Sequence, residues 1–106
     1  MIIQGSNEPV VIEFRVEHEM KKVNVAIFDE QDNLIKDWSF GSEDITNNTV
    51  VAPLTEQETM DFPVGILSLE IKWLDNDDNI WHSNVISFRC SERNDKRKML
   101  GGDNDA

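Results

Sequence analysis

Disulfide bonds and long apolar runs are both absent from this sequence. Cys90 is the single cysteine, so the chain cannot form an intrachain disulfide. Small domains built without this cross-link are typical of reducing compartments, and we expect synthesis in a cytoplasm. No segment approaches the roughly 20 apolar residues of a membrane-spanning helix, and the first residues carry no basic leader. The sequence therefore predicts neither secretion through a signal peptide nor insertion into a membrane.

Basic side chains are also scarce. Ten Lys and Arg residues stand against 21 Asp and Glu residues, which gives a formal net charge of −11. Nucleic acids and anionic membranes bind basic surfaces that neutralise their phosphate groups, so we expect neither as a partner. A binding partner should be neutral or basic. Solubility alone also explains a high net charge, so acidity excludes partners without identifying one.

The sequence lacks the patterns of common catalytic and cofactor sites. It has no glycine-rich loop of the kind that holds nucleotide phosphates. Its two histidines, His18 and His82, lie in different segments and do not provide the paired ligand spacing of a zinc site. Cys90 shares the parity of Phe88 in a predicted strand, which indicates a buried, inert thiol. We therefore predict no enzyme, no catalytic residues, no cofactor and no metal.

The polar segment at residues 75–79 begins like a calcium-binding loop, in which spaced oxygen atoms coordinate the ion. Asp75, Asp77 and Asn79 fit that spacing. However, Ile80 stands where the loop requires glycine, and Ile86 stands where it requires a bidentate glutamate. A solvated hairpin turn is the preferred interpretation of this segment.

Apolar and polar residues alternate along much of the chain, and this period of two predicts β-strands. The clearest case is residues 67–73, where every second side chain is Leu, Ile or Trp, so we expect a central strand there. Further strands are predicted near residues 2–3, 10–16, 23–28, 34–40, 49–54 and 80–90. In the last of these the apolar parity changes between Trp81 and Ile86, which predicts a β-bulge near Asn84.

A short helical signal interrupts the strands. Residues 55–58 read Thr-Glu-Gln-Glu, which has the form of a capping box. In such a box the oxygen of Thr55 accepts the amide of Glu58, and the Glu58 side chain reaches back to the amide of residue 55. We therefore expect one short helical turn near residues 55–61.

The predicted elements define one domain and a tail. Six to seven strands, two hairpins and one helical turn predict an all-β fold, an immunoglobulin-like antiparallel β-sandwich without its disulfide. Residues 1–90 suit a single hydrophobic core, so we predict one domain. The apolar pattern stops at Ser91, and we expect residues 91–106 to form a flexible, charged C-terminal tail.

Three tryptophans provide the candidate contact residues. Trp38 and Trp73 have the parity of the predicted core, whereas Trp81 opens the least regular strand beside His82. An exposed indole packs well on the apolar face of a sugar ring or of a protein partner. Trp81 and His82 are therefore the candidate ligand or partner contacts, and core packing is the structural alternative.

Four segments, in this order, resemble a known group of proteins. They are Ile-Ile-Gln-Gly at residues 2–5, Val-Val-Ile-Glu-Phe at 10–14, Leu-Thr-Glu-Gln-Glu-Thr-Met-Asp-Phe at 54–62 and Gly-Ile-Leu-Ser-Leu-Glu-Ile at 65–71. The chain resembles small β-sandwich proteins encoded among the tail genes of phages and prophages of Gram-positive bacteria. Its opening part is similar to the N-terminal domain of baseplate upper proteins.

This resemblance implies a non-enzymatic virion or prophage structural or assembly protein, associated with the tail or baseplate, that acts through protein-protein interaction. Its partners would be other phage tail or baseplate proteins, and a homo-oligomer is left open. The protein would occupy the cytoplasm of the bacterial host during assembly and then the virion. The alternative hypothesis is a carbohydrate-binding β-sandwich module that uses an exposed tryptophan, Trp81.

Overall fold

The computed structural model of the protein describes residues 2–92, which form eight strands and two short helical segments. The tail predicted at residues 91–106 therefore lies outside the described residues, except for its first two. In chain order the elements are β1 (Ile2–Ile3), β2 (Val10–Glu13), β3 (Met20–Phe28), β4 (Leu34–Gly41), a 3-10 helix (Ser42–Asp44), β5 (Thr49–Ala52), α1 (Glu56–Met60), β6 (Gly65–Asp75), β7 (Ile80–His82) and β8 (Ile86–Ser91).

Six strands form a large sheet around β3 and β6. Its order is β1-β8-β6-β3-β4, and β7 also pairs with β6. Neighbouring strands are antiparallel, except that β1 runs parallel to β8. The remaining strands, β2 and β5, form a separate antiparallel pair that we call the small sheet.

One face of the large sheet is the foundation of the core. Every second residue of β6 is buried from Leu67 onward, because successive side chains in a strand point to opposite faces. The buried positions of β3 and β6 meet across the two strands, with Val23 opposite Trp73, Val25 opposite Ile71 and Ile27 opposite Leu69. Val50 and Ala52 of the small sheet are fully buried in the same hydrophobic cluster. The small sheet therefore packs against this face of the large sheet.

The predicted capping box is confirmed at the start of α1. The Thr55 side chain accepts the backbone N–H of Glu58 at 3.1 Å, and the Glu58 side chain accepts the N–H of Thr55 at 2.9 Å. Glu58 also forms an ion pair with Lys36 of β4. The hydrogen bond from Lys36, followed by that from the Thr55 backbone, lowers the pKa of the Glu58 carboxyl. These contacts fix the single helical turn against the edge of the large sheet.

The predicted irregularity in the return strand is also confirmed. His82 lies opposite Lys72, whereas Ile86 lies opposite Leu69. Residues 83–85 of the return strand therefore face residues 70–71 of β6, so the return strand carries the one extra residue of a β-bulge. The bulge divides the predicted strand into β7 and β8.

The all-β prediction is confirmed, and its strand count and pairing are corrected. The described residues form eight strands instead of six to seven, because the bulge divides the last predicted strand into two. The sheet is not wholly antiparallel, because Ile2 and Ile3 pair in parallel with Cys90 and Ser91. Within residues 2–92, no helix is long and apolar enough to span a membrane.

The assigned core predicts that truncation of two different isoleucines has very different effects on the free energy of unfolding. Ile27 is 0% exposed and Ile80 is 64% exposed. We expect Ile27→Ala to lower the free energy of unfolding by about 2–5 kcal/mol, because it removes buried methyl groups and leaves a cavity. The matched variant Ile80→Ala should change it by less than about 0.5 kcal/mol. Urea unfolding followed by tryptophan fluorescence measures both values, and equal losses would contradict the assigned core.

Candidate binding surface at the open edge of the large sheet

Exposed apolar side chains concentrate along one edge of the large sheet. β7 and β8 pair with β6 on one side, while on their other side, within residues 2–92, only Cys90 and Ser91 pair with a strand. We call this outer side of residues 80–89 the open edge. Four exposed large apolar residues lie along it, namely Ile80, Trp81, Val85 and Ile86. Trp81 and Ile86 point to the core side of the sheet, whereas Ile80 points to the other face. Exposed apolar side chains clustered along one edge are a common mark of an interaction site.

A groove of about 480 Å³ opens beside the open edge. Its apolar walls come from four strands, with Ile3 from β1, Val10 from β2, Leu69 from β6, and Ile86 and Phe88 from β8. Glu8 is the charged residue in the lining. The groove therefore lies between the large sheet and the start of the small sheet, on the side where β8 ends the layer.

Incomplete coverage of the large sheet explains this groove. Ile86 lies directly opposite Leu69, so both side chains point to the face that carries the core. Leu69 is 7% exposed, whereas Ile86 is 46% exposed. The covering layer thus protects β6 but leaves β8 accessible.

Aromatic rings form a cluster at the β7 end of the open edge, made of Phe14, His18, Trp73 and Trp81. The indole N–H of Trp73 donates a hydrogen bond of 2.9 Å to Nε2 of His18. The Trp81 ring stacks on His18 with 4.6 Å between centroids and 20° between planes. Phe14 contacts Trp73 edge to face at 5.2 Å. Because an indole nitrogen can only donate, Nε2 of His18 is the acceptor of this hydrogen bond.

Asp75 joins this aromatic cluster to the turn between β6 and β7. Its Oδ2 accepts the indole N–H of Trp81 at 2.9 Å, and its Oδ1 accepts the backbone N–H groups of Asp77 and Asn79 at 2.8 and 2.9 Å. The hydrogen bond from Trp81, followed by that from the Asn79 backbone, lowers the pKa of Asp75 to about 2, although burial opposes the shift. The carboxylate therefore stays charged at neutral pH and holds both the turn and the Trp81 ring.

The structure separates the two predicted contact residues. Trp81 is 43% exposed and lies opposite Trp73 on the core side of the sheet. His82 is also exposed, but it is the next residue in β7 and so points to the opposite face, beside Lys72. The histidine that contacts Trp81 is His18, from the segment between β2 and β3. Trp81 and His82 thus belong to different surfaces of the protein.

The remaining candidate groups have structural positions. The turn at residues 75–79 closes an antiparallel hairpin, as the sequence predicted. Cys90 is fully buried, and this burial raises the pKa of its thiol. Among residues 2–92, no group of three or more His, Cys, Asp or Glu side chains is placed to hold a metal ion.

Sequence reasoning missed two components of this surface. His18 lies in an irregular segment without periodicity, so no local signal indicated its contact with Trp73 and Trp81. The groove was missed because it joins residues that are far apart in the chain, such as Val10 and Ile86. The exposed positions Val85 and Ile86 straddle the parity change, and this irregular phase was the one available signal for the open edge.

Comparisons of the chain with protein-family models, curated proteins and solved structures gave no match.

The geometry around Asp75 predicts a measurable effect of Trp81 on its ionisation. Trp81→Phe keeps an aromatic ring but removes the indole donor, which is the largest cause of the low pKa. We expect the pKa of Asp75 to rise from about 2 toward its ordinary value of 3.8. The ionised carboxylate stabilises the fold above that ordinary value, and this contribution is lost as the pH falls through the folded-state pKa. The stability that the variant loses on acidification should therefore be smaller than in the wild type, and the loss should be complete at a higher pH.

The titration can be followed by the ¹³C shift of the Asp75 carboxyl carbon in an NMR experiment. Trp38→Phe is the matched control, because the Trp38 indole donates to the backbone oxygen of Pro53 and not to Asp75. The control should leave the Asp75 titration unchanged. An unchanged titration in Trp81→Phe would show that the Trp81 hydrogen bond does not control this group.

Proposed function

We propose that this protein is a non-enzymatic structural or assembly component of a phage or prophage particle, associated with the tail or baseplate, that acts by binding other proteins. The observation that carries the binding role is the open edge with its adjoining apolar groove. The resemblance of residues 2–71 to small tail-associated proteins supports the particle assignment. On this proposal the protein occupies the cytoplasm of the bacterial host during assembly and then the virion.

The chemistry of the groove favours a protein partner. Its walls are mainly aliphatic and aromatic, and protein interfaces bury apolar surface of this kind at their centres. The open edge also provides a strand whose outer side, at residues 80–89, pairs with no other strand within the described residues. An extended segment of a partner can add to such an edge, with main-chain hydrogen bonds for affinity and side-chain pockets for specificity.

We further propose that the fold is a variant of the immunoglobulin-like sandwich in which one layer is reduced to two strands. Two layers around a shared core and mostly antiparallel pairing support this description. The short small sheet would account for the exposed inward face of β8. The reduced layer would then also explain why the groove is present.

Purification of particles tests the proposed function. The full-length protein, carrying an epitope tag, is expressed in the bacterial strain whose phage or prophage encodes it, and tailed particles are isolated on a density gradient. We expect the protein in particles or in tail assembly intermediates. Its absence from both, with the protein present elsewhere in the lysate, would contradict the proposal.

A pair of surface variants tests whether the groove is the binding site. Ile3 and Val51 are both exposed, but only Ile3 lines the groove. We expect Ile3→Lys to reduce recovery with particles by about tenfold, which corresponds to about 1.4 kcal/mol of binding free energy. Val51→Lys, on the outer face of the small sheet, should leave recovery unchanged. Equal losses in both variants would remove the groove from the proposal.

The second candidate function is carbohydrate binding, and the partial exposure of Trp81 favours it. His18 stacks on the Trp81 ring, and Asp75 accepts a hydrogen bond from its indole N–H. The part of the indole that stays exposed is the surface that a sugar would contact. Titration with bacterial cell-wall glycans separates the two hypotheses. A saturable change in tryptophan emission that is lost in Trp81→Leu would favour the glycan hypothesis, and the absence of a saturable change favours the protein-binding proposal.

A further inference from the structure

On the outer side of β8, the backbone groups of Ser87 lie beyond the reach of β1, whose parallel pairing at Ile2 and Cys90 uses the carbonyl of Arg89. The carbonyl of Ser91 accepts the N–H of Gln4 at 2.9 Å, so Ser91 points away from β6 and toward β1. Successive residues of a strand point their backbone groups to opposite sides, so the backbone groups of Arg89 and Ser87 also point away from β6. The hydrogen bond from the N–H of Ser83 to the carbonyl of Ile71 agrees with this assignment. It shows that the backbone groups of Ile71, and hence those of Leu69, point toward the return strand, where Leu69 faces Ile86. Within residues 2–92, no strand pairs with the outer side of β8 at Ser87, whose other side faces Ser68 of β6.

We propose that a second copy of this chain binds here, with the two β8 strands antiparallel about a twofold axis at Ser87. This inference deepens the protein-binding role, but it does not depend on the particle assignment. An antiparallel pair centred on Ser87 places Ile86 of one copy opposite Phe88 of the other. Both side chains lie on the groove side, so each half-exposed Ile86 is covered by an aromatic ring.

The length of the pairing is set by features on either side. Toward the end of β8, strand β1 already occupies the position beside Cys90. Toward its start, the bulge at residues 83–85 turns the chain away from a regular edge. The pairing about Ser87 thus covers residues 86–88 of each copy, because β1 lies beside Arg89 and Cys90 and the bulge ends at residue 85.

The distribution of charge favours a second copy over a basic partner. A chain with a net charge of −11 repels its own copies across most of its surface. Residues 79–91 contain no Asp or Glu, and this is the longest such stretch within residues 2–92. The opposite edge of the large sheet differs, since β4 contains Asp37 and is followed by Glu43 and Asp44. A strongly basic partner would find its acidic complement elsewhere, whereas a like-charged copy can approach β8.

Cysteine cross-linking tests this geometry directly. At a hydrogen-bonded antiparallel pair the two Cα atoms lie about 5.5 Å apart, which is within the range that a disulfide spans. The full chain with Ser87→Cys should form a covalent dimer under mild oxidation, while native Cys90 is buried and should not react. Val51→Cys places a thiol on the outer face of the small sheet and should stay monomeric.

Sedimentation equilibrium provides the readout without oxidation. We expect the wild-type protein to approach twice the chain mass of 12.2 kDa with rising concentration, and Ile86→Lys to remain at the chain mass. A wild-type monomer at all concentrations, equal cross-linking of both cysteine variants, or a dimer that Ile86→Lys leaves intact would each overturn the proposal. A monomer that still enters particles would reject the pairing and keep the proposed function.

Discussion

The antiparallel pairing of β3 with β6 is the constraint on which the rest of this structure depends. The two strands pair from Met20 opposite Asp75 to Phe28 opposite Ser68, and their buried side chains form a continuous apolar face. A shift of the register by one residue would move that whole apolar set to the other face, so burial specifies the register strongly. Every other layer of the protein is placed relative to this face.

The same constraint explains why one edge is exposed. β6 carries its apolar face to β7 and β8, yet the covering layer consists of a two-stranded sheet and short connections. The covering layer buries Ile71 but leaves Ile86 exposed, and the groove lies where this cover ends. At the other end of the edge, Asp75 and His18 hold Trp81 in a defined orientation. The open edge is therefore ordered apolar surface, which is the property an interaction site needs.

The sequence predicted what depends on local pattern. Alternation located the strands, Thr55 and Glu58 located the helical turn, and the parity change near Asn84 located the bulge, because each signal lies within a few neighbouring residues. The parallel pairing of Ile2 with Cys90 has no such local signal. Periodicity shows which way a side chain points, but it does not show which distant segment covers it. The contact of His18 with Trp81 and the groove beside Ile86 were beyond prediction for that reason.

Amide hydrogen exchange at several protein concentrations tests most directly whether β8 is an interface edge on a rigid centre. The amides of Val25 and Glu70, in the central strands, should exchange slowly at every concentration, because Val25 faces β4 and Glu70 faces β3. The amide of Ser87 should exchange rapidly in dilute protein and become protected as the concentration rises. If the Ser87 amide were already as protected as that of Glu70 in dilute protein, the edge would not be open and the account would be contradicted.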